Sequence, residues 1–416
     1  MLIPQSGIGP AGVGQRSETV RRANLSAIVR ELHAHGPLSR SELVARTGLT
    51  RSAIRGLIGE LAAVGLVVEE RAPSQGAPGR PSPVVRPNPD RVVVLALDIA
   101  VDSIAAAIVG LGGEVIHERR VDRGPAMSAA DTTIEALAAL GRDAVAHAPA
   151  NAEVIGIGVA VAAVVGRTDG VVAVGPNLGW RDVPLGAMLA RALELDAPVV
   201  VANDADAGAL AELRRGSAIG LDDLVYLSGE VGVGGGIIVG GQPLTGVAGH
   251  AGEVGHLPVN PDGRPCQCGS VGCWETEVGG GALLRLAGRP EHGGRAEVDT
   301  VLQAAAAGDD RSLAALDEIG RWLGIGVAGL VNLLNPRLIV LGGLLGRIYP
   351  YVAPRMESEL DRRAMRASRG LMRVAPTRLG EDAPLLGAAE LAFEPLLVDP
   401  GLRLELRPAP AVLRTA

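Results

Sequence analysis

A two-lobed α/β body preceded by a small winged helix-turn-helix domain is the architecture these 416 residues predict. Three observations lead to it. The chain is longer than one hydrophobic core usually serves, which argues for two or three domains. Its front carries short helical repeats followed by two strand-like runs. Behind them a strand-turn-strand layout occurs twice, at RVVVLALDIAVDSIAAAIVGLGGEVIHERR (91–120) and at LDDLVYLSGEVGVGGGIIVGGQPLTG (221–246).

In chain order, residues 1–17 are expected to be a flexible tail, and residues 18–88 a DNA-binding domain with its linker. Leu25, Ile28, Val29 and Leu32 recur at helical spacing, and Gly36-Pro37 stops that helix. A second helix starts at SRSE, where Ser39 and Glu42 have the spacing of a capping box, and ends near Thr47-Gly48. The third, TRSAIRGLIGELAAVGL, turns Ile54, Leu57, Ile58 and Leu61 inward and leaves Arg51, Ser52 and Arg55 outside. LVVEER and SPVVRP then flank a Gly/Pro/Arg loop, as in a wing. In such a domain the third helix enters the major groove, so Arg51, Ser52 and Arg55 are expected to meet bases or phosphates, and Arg80 in the loop the minor groove or backbone.

A Pro-rich linker leads into the body, residues 91–392, and residues 393–416 are expected to be a C-terminal tail. The run VIGIGVAVAAVV (154–165) is too short to span a bilayer and predicts a buried strand. Because the strand layout is duplicated, the body is expected to be two related α/β lobes facing a cleft, as in the actin-like (ribonuclease H-like) sugar kinase fold. There the turn between the first two strands of each lobe wraps ATP phosphates with backbone N–H groups, which favours glycine.

All three cysteines fall within CQCGSVGC (266–273), behind His256. One residue separates Cys266 from Cys268, and Cys273 lies five further on, so a Cys3His set sits on one loop, 256–273. Gly269 and Gly272 permit the turns that bring thiolates onto one tetrahedral ion. A disulfide framework would leave one cysteine unpaired. The expectation is structural Zn2+ held by His256, Cys266, Cys268 and Cys273, with no position open for water.

Charge divides the chain. All basic residues are Arg; residues 1–90 carry a net +4 and the remainder −11, within an overall −7. A basic front on an acidic body suits a nucleic-acid contact confined to one end. The first twenty residues lack a charged segment followed by an apolar core, so no export signal is expected and the compartment is expected to be the cytoplasm.

The motifs PNLGW (176–180), NDADAGALAE (203–212), GVGGGIIVGG (232–241), AGEVGH (251–256), CQCGSVGCWE (266–275), NLLNPRLIVLGG (332–343) and GEDAPLLGAA (380–389) occur in the order of one family. From residue 91 to about 392 the chain resembles the ROK family of repressors, open reading frames and sugar kinases, and the added winged helix resembles its transcription-regulator branch. The resemblance implies a sugar site at Asn203, Asp204, Glu253, His256 and Glu275, with Asn177 and Gly166 bordering it. In the family's kinases the residue matching Asp204 is the general base.

This chain departs from the kinase pattern. Asp98 of the first phosphate turn is kept, but Ala100, Val101 and Asp102 stand where Gly-Gly-Thr is expected, and Glu230 replaces a small hydroxyl residue in the second turn. Side chains hinder backbone approach to phosphate, and both carboxylates repel it. The resemblance therefore implies a sugar-responsive regulator, most simply a repressor of carbohydrate genes, that is not an enzyme. Its partners would be operator DNA and a sugar or sugar-phosphate effector, and as a homodimer or homotetramer it would suit symmetric operators. The alternatives are an ATP-dependent sugar kinase, or a regulator with a vestigial pocket.

Overall fold

The computed structural model describes residues 17–70, 83–124, 127–166 and 169–401. These form two compact units, one built from residues up to Pro89 together with those from Glu394 onward, the other spanning Asp90–Phe393.

In the first unit, helix α1 (Ser17–His35) is followed by β1 (Leu38–Ser39), α2 (Arg40–Thr47), α3 (Arg51–Ala63), β2 (Val67–Glu70) and β3 (Val84–Pro87). The strands pair in the order β1-β3-β2, all antiparallel. The capping box is made: the Glu42 amide donates to Ser39 Oγ and the Ser39 amide to Glu42 Oε2. Gly48, left-handed at φ 71°, ends α2, and Thr50 caps α3 by accepting from the Ala53 amide. Leu25, Ile28, Leu32, Leu43, Ile54, Ile58 and Leu61 are buried, as the periodicity requires. Arg80 lies outside the described residues.

The second unit repeats one plan. Its first lobe comprises β4 (Val92–Ile99), β5 (Ser103–Gly110), β6 (Val115–Asp122), α4 (Ala130–Ala146), β7 (Glu153–Val161), β8 (Val164–Val165), β9 (Val172–Gly175), β10 (Trp180–Val183), α5 (Leu185–Leu193) and β11 (Val199–Asn203). Its second lobe comprises α6 (Asp204–Arg215), β12 (Leu224–Gly229), β13 (Val233–Val239), β14 (Gln242–Pro243), α7 (Glu275–Val278), α8 (Gly280–Leu286), α9 (Gly294–Ala306), α10 (Asp310–Leu334), β15 (Leu338–Gly342), α11 (Gly343–Arg363), α12 (Arg366–Arg369), β16 (Arg373–Pro376) and α13 (Ala383–Val398). The main sheets run β11-β7-β4-β5-β6 and β14-β13-β12-β15-β16. In each, three antiparallel strands continue into two parallel ones, the duplication anticipated from the repeated strand layout. β4 and β5 are buried throughout, so they are apolar apart from Asp98 and Ser103.

Aliphatic side chains make both cores: Leu95, Ile104, Leu137, Ile157 and Leu189 in the first lobe, Leu227, Leu323, Val327, Ile339 and Ile348 in the second. Helix α13 runs to Val398, past residue 393 where the sequence placed the start of a tail. Its end belongs to the first unit, where Asp399 accepts from Arg22, the Leu397 carbonyl from Ser26 and Glu394 from Arg30. No helix among the described residues is long and apolar enough to cross a membrane.

Candidate functional site

Asn203 ends β11 and Asp204 begins α6, so the strand-to-helix turn aims both at the space between the lobes of the second unit. Asn203 Oδ1 accepts from the amides of Ala205 and Asp206, at 2.8 and 3.2 Å, and its Nδ2 donates to the Ala163 carbonyl at 3.1 Å. The Asn is thus a helix cap that also fixes the facing loop, and it sets the direction of Asp204. Around this turn lies a cavity of about 680 Å³ lined by Asn177, Asn203, Asp204, Glu253, His256 and Glu275. Six of the seven residues named for the sugar site therefore share one cavity.

Gly166 is not among its lining residues. Its amide donates to the Val171 carbonyl at 2.8 Å, closing the hairpin that starts at β8, and its Cα faces Asp169. A backbone without a side chain is the hardest kind of position to align from motifs, and here it serves the turn rather than the cavity wall.

Carboxyl groups dominate the electrostatics. Burial holds Asp204 up at about 7, with the negative charge of Asp98 adding to the effect and the Ala205 amide opposing it. Asp206 is likewise pushed to about 7 by burial and by Glu253, and burial raises Glu253 despite His256 and His250 nearby. Toward the far end of the cleft, burial together with Asp102 and Glu381 holds Glu230 near 7, against the pull of Arg295 and Arg347. That end opens into a second cavity of about 590 Å³, lined by Asp102, Glu230, Gly280, Gly281, Arg295 and Arg347.

Arg120 carried no motif, yet it reaches this centre. It pairs across β5 with the strand that holds Asp98, since Ala105 is opposite both residues. Its guanidinium donates to Asp98 at 3.0 Å and to Asp382 at 3.1 Å. Burial still outweighs that attraction and leaves Asp98 at about 6, with its second carboxylate oxygen unpartnered.

The loop behind the cleft is stitched by isolated bridges, Pro258 with Cys273 and Pro265 with Val271. One ligand atom from each of His256, Cys266, Cys268 and Cys273 lies within 4.8 Å of the others. Cys266 Sγ is 3.7 Å from His256 Nδ1, and Cys268 Sγ is 3.6 Å from Cys273 Sγ. Those separations are close to the edges of a tetrahedron with metal bonds of about 2.0–2.3 Å, so the donor set fits a metal ion. Gly272 is left-handed, φ 67°, and an added Cβ would lie 1.5 Å from the Asn260 carbonyl oxygen, so only glycine closes this turn. Glu275, the first residue of α7, lines the cavity and lies 3.5 Å from His256 Nδ1. Gly232 makes room for it: an added Cβ would meet Glu275 Oε2 at 2.4 Å.

In the first unit Arg51, Ser52 and Arg55 are exposed along the first turns of α3, and Ser52 Oγ sits 3.1 Å from Thr50 Oγ1. Neighbouring arginines are paired, Arg21 with Glu60, Arg40 with Glu69, Arg46 with Glu31 and Arg86 with Glu70. Among the described residues Arg51 and Arg55 have no acidic partner, which leaves their guanidinium groups for phosphates or base edges.

Fold and site together define a winged-helix unit joined to a body of the actin-like sugar kinase fold. The chain belongs to the ROK family, whose profile matches residues 94–394, and that of the MarR family matches residues 26–77. A xylose repressor of Bacillus spizizenii is 28% identical over 382 residues, spanning 91% of this chain and 97% of that protein. The crystal structure of a ROK family transcriptional regulator, a homologue of the E. coli MLC protein, superposes with a TM-score of 0.72 at 26% identity, covering 93% of this chain and 98% of its own. A Streptomyces griseus ROK glucokinase, solved with glucose and AMPPNP, gives 0.64 at 32% identity but covers 72% of this chain and 99% of its own.

Proposed function

We propose that this protein is a sugar-responsive transcription regulator, a repressor of carbohydrate uptake or metabolism genes, which binds operator DNA through Arg51, Ser52 and Arg55 of α3 and through Arg80. One observation carries the reading. The likeness to regulators extends over both units, whereas the glucokinase likeness covers 72% of this chain. The effector is a neutral aldose, of the class to which xylose belongs, held by Asn177, Asp204, Glu253, His256 and Glu275 with Asn203 as positioning residue. Carboxylates and amides give directional hydrogen bonds to adjacent hydroxyls, and a site built from them rejects analogues that lack those hydroxyls. The surplus of acids argues against a phosphorylated effector.

His256, Cys266, Cys268 and Cys273 hold structural Zn2+ in this reading. The ion supplies a rigid tetrahedral centre and no reaction step. It fixes His256 and the start of α7, and through them two sides of the sugar site. Two copies present paired winged helices to a symmetric operator, and sugar acts by favouring one arrangement of the lobes.

The kinase reading draws support from Asp204, since a carboxyl held near 7 is well matched to general-base work. Two measurements separate the readings. A labelled upstream DNA fragment is bound by the full-length protein, and a panel of neutral aldoses is scanned for a change in that binding. Arg55→Ala should weaken DNA binding roughly tenfold and flatten its salt dependence. Sugar phosphorylation above background with ATP, together with indifference to the DNA fragment, would sink the regulator reading.

A further inference from the structure

A cluster outside the cleft has the chemistry of a metal site. His117 lies on β6, while Asp143 and His147 stand one turn apart at the end of α4, where His147 is the C-cap. One ligand atom from each lies within 4.8 Å of the other two. The imidazoles stack face to face, 3.9 Å between centroids and 3° from parallel. His117 Nε2 is buried without a hydrogen-bond partner, 3.6 Å from Asp143 Oδ2. That gap is too long for a hydrogen bond. It is close to the separation of about 3.4 Å between two ligands of a tetrahedral ion with bonds of 2.0–2.2 Å.

The tautomer of His147 is also set. Its Nδ1 lies 2.8 Å from the Asp143 carbonyl oxygen, which can only accept, so Nδ1 carries the proton and the lone pair is on Nε2. In the stacked arrangement the rings lie in parallel planes, so their in-plane lone pairs do not converge and binding requires His147 to leave both the stack and this bond. His147 is exposed at the helix end, so it can turn from the stack toward a shared ion. The nearest competing cation is Arg119, 3.7 Å from Asp143 and more than half exposed, which can move aside.

We propose that His117, Asp143 and His147 form a second metal site on the first lobe of the body, separate from the cysteine loop, which takes a divalent transition ion of the zinc, nickel or copper class. Two imidazoles with one carboxylate favour such ions over magnesium or calcium, which prefer oxygen ligands. Occupancy would clamp α4 to β6, the strand whose Arg120 reaches Asp98 and Asp382 in the cleft.

The test titrates the full-length protein with Zn2+ and counts retained ions by plasma mass spectrometry after dialysis. Wild type is compared with His147→Ala, Asp143→Asn and Cys268→Ser. Wild type should hold one ion more than His147→Ala or Asp143→Asn, with binding at this site weakened at least tenfold in both, and Cys268→Ser should keep that ion. With Cu2+, electron paramagnetic resonance should show coupling to two ring nitrogens in wild type and to one in His147→Ala. Equal ion counts in wild type, His147→Ala and Asp143→Asn would overturn the proposal, as would nitrogen coupling that His147→Ala leaves unchanged. His147 is exposed, so its loss tests the site without disturbing the core.

Discussion

Replacing Asp204 with Asn should both weaken sugar binding and stabilise the sugar-free protein at neutral pH. Burial, reinforced by Asp98, Asp206 and Glu253, holds the Asp204 carboxyl near 7, against 3.8 in an ordinary environment. An acid raised on folding favours the protonated native state. Its contribution to stability is therefore greatest at low pH and falls as pH rises from about 4 to 7. Asn cannot ionise, so Asp204→Asn should match wild type at pH 4. At pH 8 it should be more stable by about 1–2 kcal/mol, once the full shift is discounted for an open cleft. Sugar hydroxyls donate to the ionised form, so binding should pull the proton off, and wild-type affinity should fall about tenfold for each pH unit below 7. Losing a hydrogen bond to a charged group costs about 1.5–3 kcal/mol, so Asp204→Asn should bind at least tenfold more weakly at pH 8 and with a flatter pH profile. Calorimetric titration and thermal unfolding between pH 5.5 and 8.5 measure both quantities. Wild-type affinity independent of pH, or Asp204→Asn binding like wild type at pH 8, would refute the reasoning.

If the proposed ion orders His256 and Glu275, Cys268→Ser, or treatment with a chelator, should weaken sugar binding by about tenfold or more and lower the unfolding temperature. Titration with the sugar and a thermal melt check this, and an unaffected sugar affinity would detach the loop from the site. Gly387→Ala should force α13 from α6, since its Cβ would lie 1.8 Å from the Ala207 carbonyl oxygen. Overpacking of this kind costs about 1–3 kcal/mol, a fall of several degrees in the midpoint, and an unchanged melt would show that the helices part without strain.

Features were legible in the sequence where spacing along the chain is itself the physical constraint. The Ser39–Glu42 capping box spans one helical turn, and the cysteines bend onto one centre because Gly269 and Gly272 permit it. The repeated strand layout announced two similar sheets because β4, β5, β12 and β13 are apolar enough to be read without partners. What depended on pairing between distant segments was not legible. Arg120 enters the cleft through strand register, β6 on β5 on β4, which no local motif encodes. The continuation of α13 to Val398 was hidden because the last motif, GEDAPLLGAA, ends at residue 389 and nothing beyond it marks how far the helix runs. His117 and His147 meet because α4 packs back along its own sheet, and thirty residues separate them.

Arg120 also explains how the cleft tolerates so many carboxyl groups without nucleotide chemistry. Asp98 and Asp382 would repel each other across the space beside the first turn, but the guanidinium bonds to both. Arg295 pairs with Glu381 and Arg347 with Asp299, so each would have to exchange a carboxylate partner to meet a triphosphate. An incoming phosphate would instead face Asp102 and Glu230, and at an effective dielectric of about 20 a unit like-charge pair 4 Å apart costs about 4 kcal/mol. Holding Glu230 near 7 leaves it partly protonated at neutral pH, which reduces that cost without restoring the backbone cradle that Ala100 and Val101 obstruct. Hydrogen bonds from a glycine cradle to a charged phosphate would return about 1.5–3 kcal/mol each, a return this chain lacks with Ala100 and Val101 in that turn. Repulsion therefore wins at the phosphate end, while the sugar end keeps its polar residues. A cleft in that balance suits a sugar rather than a nucleotide, as the proposed effector role requires.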